Sequence, residues 1–501
     1  MTVASSLSSR ASSSRTNTLA VTKILPILLL ITAVKFLLIP SYFSTDFDVH
    51  RNWLAITRHL PLSSWYFEDL QGRTVHTLDY PPGFAWFEYF LSNNFVTTSL
   101  VGSGWLDDKC LDLLPDDDNV PSERCVTFQR CTVILSDVIL FFGAYFVARS
   151  TNLNVPKGVD VEEASALTFL LIATNPGLIV LDHIHFQYNG MLLGLLLCSV
   201  ACIIRGAPKD TTAVQVKNSN ERRAASNQMW ELSGAALFAL LLAMKHLYVT
   251  LAPLFFVHLL RHHCFVAKKG REEESSSAVL HFSFTRFVLL AAVTLVCLLG
   301  PFLPFFVQQN AWGQIEQILK RLFPFGRGLV HDYWAANVWA LYLFAGRVSS
   351  YIIRMPFVPE RLAPALICAW KAAGAELGCQ LKGSLKVNPW AGSFFMYAVV
   401  FSSFSAFMLG YHVHEKAIMT AIIPLTSLAT TSRENARLFI RTSMFGLFGL
   451  FPLLFRPDEL LMKSFLYLTW MLFAIYRLES LLFKDSRILF CKESTSYQSH
   501  F

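Results

Sequence analysis

Predominantly apolar runs of about 17 or more residues recur from Ile24 to the C-terminus, and they leave little choice of fold. A segment of that length in lipid must satisfy its own backbone polar groups, which restricts it to helix. The runs lie near 23–40, 130–148, 164–181, 188–204, 233–260, 284–306, 335–351, 391–410, 415–430, 437–455 and 459–483. Charged residues make up 15% of the chain, well under the roughly 25% of soluble domains. The expectation is an all-α polytopic membrane protein with about 11–13 transmembrane helices.

The net charge of +7 is modest, and its cations sit in short loops. That pattern excludes a nucleic-acid surface, which needs a basic stripe on a soluble domain. It serves instead as a topology signal. The loops 205–230 and 261–286 and the tail 484–501 carry Arg205, Lys209, Arg222, Arg223, Arg261, Lys268, Arg271, Lys484 and Arg487. The positive-inside rule makes all three cytosolic. The span 233–260 must then enter and return. Two legs of about 14 residues reach only about 21 Å each, short of a bilayer core. Its midpoint, Lys245-His246-Leu247-Tyr248, suits a break lining a protein cavity. With the Ser-rich tail 1–22 cytosolic and the first span an uncleaved anchor, the loops 41–129, 182–187, 307–334, 411–414 and 456–458 share the opposite face. The segment 352–390 stays cytosolic or partly re-entrant.

Every polar motif falls on that opposite face. The first loop packs Asp46, Asp48, His50, Arg51, Asp79 and Glu88 among Trp53, Trp65, Tyr66, Tyr80 and Trp86. Aromatic planes beside carboxylates suit a pyranose and a base for its hydroxyl. If helical, Asp46, Val49, His50 and Trp53 share one face. Asp79-Tyr80-Pro81-Pro82 reads equally as a helix start or as part of a site. Asp182-His183-Ile184-His185-Phe186-Gln187-Tyr188-Asn189-Gly190 suits polar contact with a sugar or headgroup, and also an ordinary turn. Arg321, Arg327, His331 and Asn337 join aromatics between Leu322 and Trp339, where Arg forks suit phosphate oxygens or snorkel at an interface. His412-Val413-His414-Glu415-Lys416 puts charge at the mouth of an apolar span, a costly placement that points to function. No Cys/His spacing resembles a structural zinc site. Cys110, Cys125 and Cys131 flank an acidic stretch, and a Cys110–Cys125 disulfide stays open because connectivity cannot be read from spacing.

Taken in order, STDFDVHRNWLAIT, WYFE, LDYPPGFAWFEY, DHIHFQYNG, KHLY, RLFPFGRG, YWAANVWALY and HVHEKAI resemble the dolichyl-phosphate-glucose-dependent alpha-1,3-glucosyltransferases of the endoplasmic reticulum. The resemblance covers about 23–483 and omits the Ser-rich N-terminus, the acidic loop 107–124 and the stretch 207–230. The HRNW and FAWFEY words are similar to members that add the second glucose to the lipid-linked oligosaccharide. Members adding the first read more like EAQRHW and DYPPLTAY.

The resemblance implies a GT-C-type membrane glycosyltransferase domain over 23–483, with a site facing the endoplasmic reticulum lumen and no metal or other cofactor. It implies dolichyl-phosphate-glucose as donor and Glc1Man9GlcNAc2 on dolichyl diphosphate as acceptor. It places the catalytic carboxylate at Asp46, the first aspartate of DFDVHRNW. A beta donor bond and an alpha product bond require inversion, hence a general base on the acceptor hydroxyl. The departing phosphate needs positive charge. We therefore expect Asp46 as base, with Asp48, His50, Arg51, Asp79 and Tyr80 around the acceptor. Donor phosphate and sugar contacts fall to Lys245, His246, Arg321, Arg327, His331, His414, Lys416, Asp182, His185 and Gln187. The rival readings are a first-glucose transferase, a related mannosyltransferase, a polyprenyl-lipid or sugar transporter, and a structural membrane subunit.

Overall fold

The computed structural model describes residues 24–67, 76–113, 120–151, 155–207, 220–268, 279–323, 337–352, 391–410 and 413–483. Helix occupies each apolar span expected from the sequence. By length and composition six described helices can cross a bilayer, among them Glu123–Thr151, Phe284–Phe306 and Glu459–Leu482. Ile24–Leu37 and Phe394–Leu409 are apolar but shorter.

The helices that position the site are α1 (Ile24–Leu37), α2 (Thr45–His59), α3 (Pro82–Ser92), α4 (Glu123–Thr151), α5 (Val161–Ala173), α6 (Asn189–Gly206) and α7 (Asn220–Met244). After them come α8 (Ala252–Leu259), α9 (Phe284–Leu299), α10 (Ala311–Leu322), α11 (Ala391–Leu409) and α12 (Met419–Thr426). A short antiparallel hairpin, Phe265–Lys268 with Val279–Phe282, is the one departure among the described residues from an all-α chain.

The core centres on α6, which packs against α4, α7 and α11. It is almost wholly buried along its length. Small residues let the backbones approach: a Cβ on Gly194 would lie 2.5 Å from the Ile139 carbonyl oxygen. Without a hydrophobic drive between lipid-immersed helices, such close packing is what holds them together. At the periphery, α9 has no buried residue and shows Val296 and Leu295 outward, as a lipid-facing helix should.

The break at Lys245 is where the sequence put it. Helix α7 ends at Met244, Lys245 is extended (φ −149°, ψ 114°), and a 3-10 turn His246–Leu251 follows. Helix α7 begins at Asn220 rather than near 233, and its added turns, Asn220-Glu221-Arg222-Arg223 onward, are polar, so the apolar leg before Lys245 stays short.

Two elements invisible to a hydropathy reading shape the first loop. Helix α2 starts where Ser44 Oγ accepts from the Asp46 amide at 3.2 Å, the usual N-cap arrangement. It buries Phe47, His50, Arg51, Trp53, Leu54 and Ile56 and leaves Asp46 at its first turn. The Cys110–Cys125 disulfide forms and ties the loop to the start of α4.

Candidate active site

Asp46 is the point where three distant parts of the chain meet. Its Oδ2 lies 2.7 Å from Lys416 Nζ, 3.2 Å from His185 Nε2 and 2.5 Å from Gln187 Nε2. Lys416 Nζ is also 3.1 Å from His185 Nε2. The cluster is reachable: the Asp46 side chain is 25% exposed and that of Lys416 is 17%. Burial alone would raise the Asp46 carboxyl, but the Lys416 ammonium and the His185 hydrogen bond outweigh it and hold the group well below the usual carboxylate range. Burial pushes the His185 imidazole down.

The local fold explains this convergence. A π-helical turn, Ile179–Ile184, widens the end of the α5 segment, and such turns recur at functional sites. Phe186 follows with φ 81°, a left-handed conformation that a bulky residue adopts only when its surroundings over-determine it. The two partners of Asp46 flank this residue. The turn is clamped by Arg130 of α4, whose guanidinium donates to the carbonyls of His183, Ile184 (2.9 Å) and Tyr42 (3.0 Å). Arg130 thus joins the turn to the strand-like entry of α2. Ser44 Oγ adds a bond to the His185 carbonyl at 2.6 Å.

Behind the cluster, Asp182 is 1% exposed and both its oxygens are used. Oδ1 accepts from the Asn189 amide and Nδ2, each at 3.0 Å, and Oδ2 accepts from the Gly190 amide at 2.5 Å. Expected as a sugar or phosphate contact, Asp182 has both oxygens engaged in building the turn. Lys245 Nζ reaches Asn189 Oδ1 at 3.1 Å and lies 5.0 Å from the centre of the Tyr80 ring. Lys245 and Tyr80 thus sit beside the cluster.

Other expected residues lie elsewhere. His50 is 3% exposed and pairs with Glu88 at 2.7 Å, inside a cage of Trp53, Phe84, Phe186 and Tyr188. Burial raises the Glu88 carboxyl even against that His50 contact. Arg51, 2% exposed, donates to the Cys110 carbonyl, with Asp48 and Asp107 among the charges acting on it. Both His50 and Arg51 hold the first loop together. Asp79 is half-buried, its charge acting on the Tyr66 and Tyr80 hydroxyls, which burial has already pushed up.

Arg321 of α10 donates to the Tyr66 carbonyl (3.2 Å) and Thr77 Oγ1 (3.1 Å), so it fastens the loop. His246 faces Phe323. His414 is the N-cap residue of the short helix that carries Lys416. Arg327 and His331 lie outside the described residues. Among the aromatics, Trp53, Trp65 and Tyr66 are at most 2% exposed and pack into the core rather than offering a sugar platform. Sequence reasoning missed Arg130 and read Phe186 and Asn189 only as part of the Asp182–Gly190 motif. Arg130 and Asp137 put buried charge into an otherwise apolar span, a signal that such residues are doing a job.

The pattern of the ALG6, ALG8 glycosyltransferase family matches residues 31–500. A mouse protein named dolichyl pyrophosphate Glc1Man9GlcNAc2 alpha-1,3-glucosyltransferase is 36% identical over 497 residues, 93% of this chain and 84% of that protein. Proteins of the same name from Arabidopsis thaliana and Kluyveromyces lactis are 35% and 34% identical, over 87% and 89% of this chain and 78% of each relative. Among solved structures, ArnT from Cupriavidus metallidurans bound to undecaprenyl phosphate aligns with TM-score 0.45 and 14% identity, over 86% of this chain and 62% of that one. With its match over residues 31–500 and relatives above 30% identity across most of its length, the chain belongs to the ALG6, ALG8 glycosyltransferase family.

Proposed function

We propose that this enzyme transfers glucose from dolichyl-phosphate-glucose to Glc1Man9GlcNAc2 on dolichyl diphosphate, forming an alpha-1,3 bond and adding the second glucose. The acceptor reading is supported by the relatives' shared name. The chemical reading is carried by one observation: a partly exposed carboxylate, Asp46, in direct contact with a partly exposed ammonium, Lys416.

The acceptor 3-hydroxyl attacks the anomeric carbon from the face opposite the phosphate. The new C–O bond forms as the bond to phosphate oxygen breaks, and dolichyl phosphate departs with the electron pair. The hydroxyl proton goes to Asp46. The three side-chain contacts of Asp46 fall on Oδ2, so Oδ1 is the oxygen that receives it. Lys416 has two tasks. In the free enzyme it keeps Asp46 ionised; with donor bound it turns to the phosphate and stabilises charge developing there. Losing the ammonium's field raises Asp46 toward its ordinary value and makes it a stronger base at the moment of reaction. Lys245, beside Tyr80, is a second cation in reach of a donor phosphate.

The site faces the endoplasmic reticulum lumen in this reading. The Cys110–Cys125 disulfide supports that side for the first loop, because such bonds persist in oxidising compartments. The test is an acceptor panel with purified protein, synthetic donor, and dolichyl-diphosphate glycans bearing zero, one or two glucoses. Transfer to the monoglucosylated glycan alone supports the reading. Transfer to the unglucosylated glycan moves the protein to the first step.

A further inference from the structure

The Asn189 side chain makes three hydrogen bonds beside the cluster, and no role above is assigned to it. It is 9% exposed. Its Nδ2 donates to Asp182 Oδ1 at 3.0 Å and to Gln187 Oε1 at 2.7 Å, while its Oδ1 accepts from Lys245 Nζ at 3.1 Å. A carboxamide has one donor end and one acceptor end. Asp182 Oδ1 already accepts from the Asn189 backbone amide and an ammonium Lys245 only donates, so the pair favours a single orientation of the Asn189 amide.

That orientation propagates. With Nδ2 of Asn189 on Gln187 Oε1, the Gln187 amide presents Nε2 to Asp46 Oδ2, 2.5 Å away. We infer that Asn189 is a positioning residue that fixes the donor end of Gln187 on Asp46 and so keeps the base ionised and Oδ1 turned to the acceptor. This rests on Asp46 being the base. The groups facing Asp46 are Lys416 from the short helix after His414 and His185 and Gln187 from the turn, with Tyr80 and Lys245 in electrostatic reach. Only Gln187 among these carries an amide that can be reversed. Gly190 lets the arrangement close: a Cβ there would sit 3.1 Å from Asp182 Oδ2 and 3.2 Å from Asp137 Oδ1.

Asn189→Asp replaces the donor end by an acceptor. Gln187 then turns its Nε2 to the new carboxylate and its Oε1 to Asp46, which disfavours the ionised base. The experiment measures kcat and KM against pH for the purified full-length enzyme with dolichyl-phosphate-glucose and the monoglucosylated acceptor. The variants are Asn189→Asp, Asn189→Ala, Gln187→Met, the two double variants and Asp46→Asn. Asn189→Asp is expected to leave donor KM within about twofold, lower kcat about tenfold, and move the acid limb of kcat up by about one pH unit. In the Gln187→Met background the same change is expected to add nothing, because its intermediary is gone.

A limb shift that persists in that background overturns the inference, since the new charge then acts without Gln187. So does a fall in kcat that tracks lost thermal stability with the limb unmoved. If Asn189→Asp does not fold, the neutral Asn189→Ala serves: its kcat loss must be non-additive with Gln187→Met, and additive losses overturn the inference. Wild-type turnover in Asp46→Asn is a different failure, that of the base assignment itself.

Discussion

Lys416 Nζ lies 2.7 Å from Asp46 Oδ2, across 370 residues of sequence. The contact joins the first turn of α2 to the mouth of the α12 span, so the base and its counter-charge come from opposite ends of the chain. Neither end makes a site alone. The pair requires α2, α4, the π-helical turn and α12 to pack correctly, which couples chemistry to the membrane-embedded core.

Removing Lys416 tests the double task given to it. A charge-assisted hydrogen bond contributes about 1.5–3 kcal/mol, so Lys416→Ala is expected to raise donor KM about tenfold or more and to lower kcat. Steady-state kinetics over a donor titration checks this. An unchanged donor KM would take Lys416 away from the phosphate.

The pH dependence has a sign that can be worked out. Burial raises Asp46, but Lys416 and His185 together hold it well below the ordinary carboxylate range in the free enzyme. A depressed folded value stabilises the fold above the unfolded value of about 3.9, and that contribution is lost as pH falls through the folded one. kcat/KM reports the free enzyme and kcat the complex. We expect kcat/KM to stay flat from pH 7 to about 5, and the acid limb of kcat to lie at higher pH once the donor phosphate has engaged Lys416. A kcat/KM limb above that of kcat would contradict this exchange of partners.

Arg321 and Arg51 are expected to behave as structural residues. Arg321→Ala frees Thr77 from α10 and leaves the Tyr66 carbonyl to Gln317 alone, and Arg51→Ala leaves the Cys110 carbonyl without its donor. Each is expected to lower the apparent Tm in detergent by a few degrees while donor KM stays within about twofold. A tenfold rise in donor KM for Arg321→Ala, with Tm unchanged, would return it to the phosphate site.

The disulfide makes a separate prediction. Cys110→Ser opens a loop whose ends are 15 residues apart, worth about 3 kcal/mol in the chain-entropy account. Thermal unfolding with and without reductant checks it. Wild type should fall to the level of Cys110→Ser when reduced, and the variant should not respond.

Much of this was legible in the sequence, and what was not has identifiable causes. Length and hydropathy located each apolar span because a lipid-immersed backbone has no alternative to helix. The cluster of Asp46, His185, Gln187 and Lys416 was legible as motifs on one face, since costly polar groups at span ends stand out against apolar neighbours. The roles of His50, Arg51 and Arg321 were not. Each looks like site chemistry in sequence, but each is consumed by a partner set only in three dimensions: Glu88, the Cys110 carbonyl and the Tyr66 carbonyl. Aromatic density misled for a similar reason, because Trp53 and Trp65 serve a core, and burial is not written in residue type. Arg130 went unseen, and Asn189 was read only as part of a motif, because their importance lies in what they orient. The start of α7 at Asn220 was missed because its first turns are polar, which hides a helix from a hydropathy reading.

The central claim is that Asp46 accepts the acceptor's proton. The most direct measurement is the single-turnover rate of glucose transfer to the monoglucosylated acceptor at saturating donor, for wild type and Asp46→Asn, in samples matched for thermal stability. General-base catalysis contributes about 10²–10⁴-fold, so the account predicts a loss in that range with donor affinity preserved. Transfer by Asp46→Asn within about threefold of wild type would contradict it.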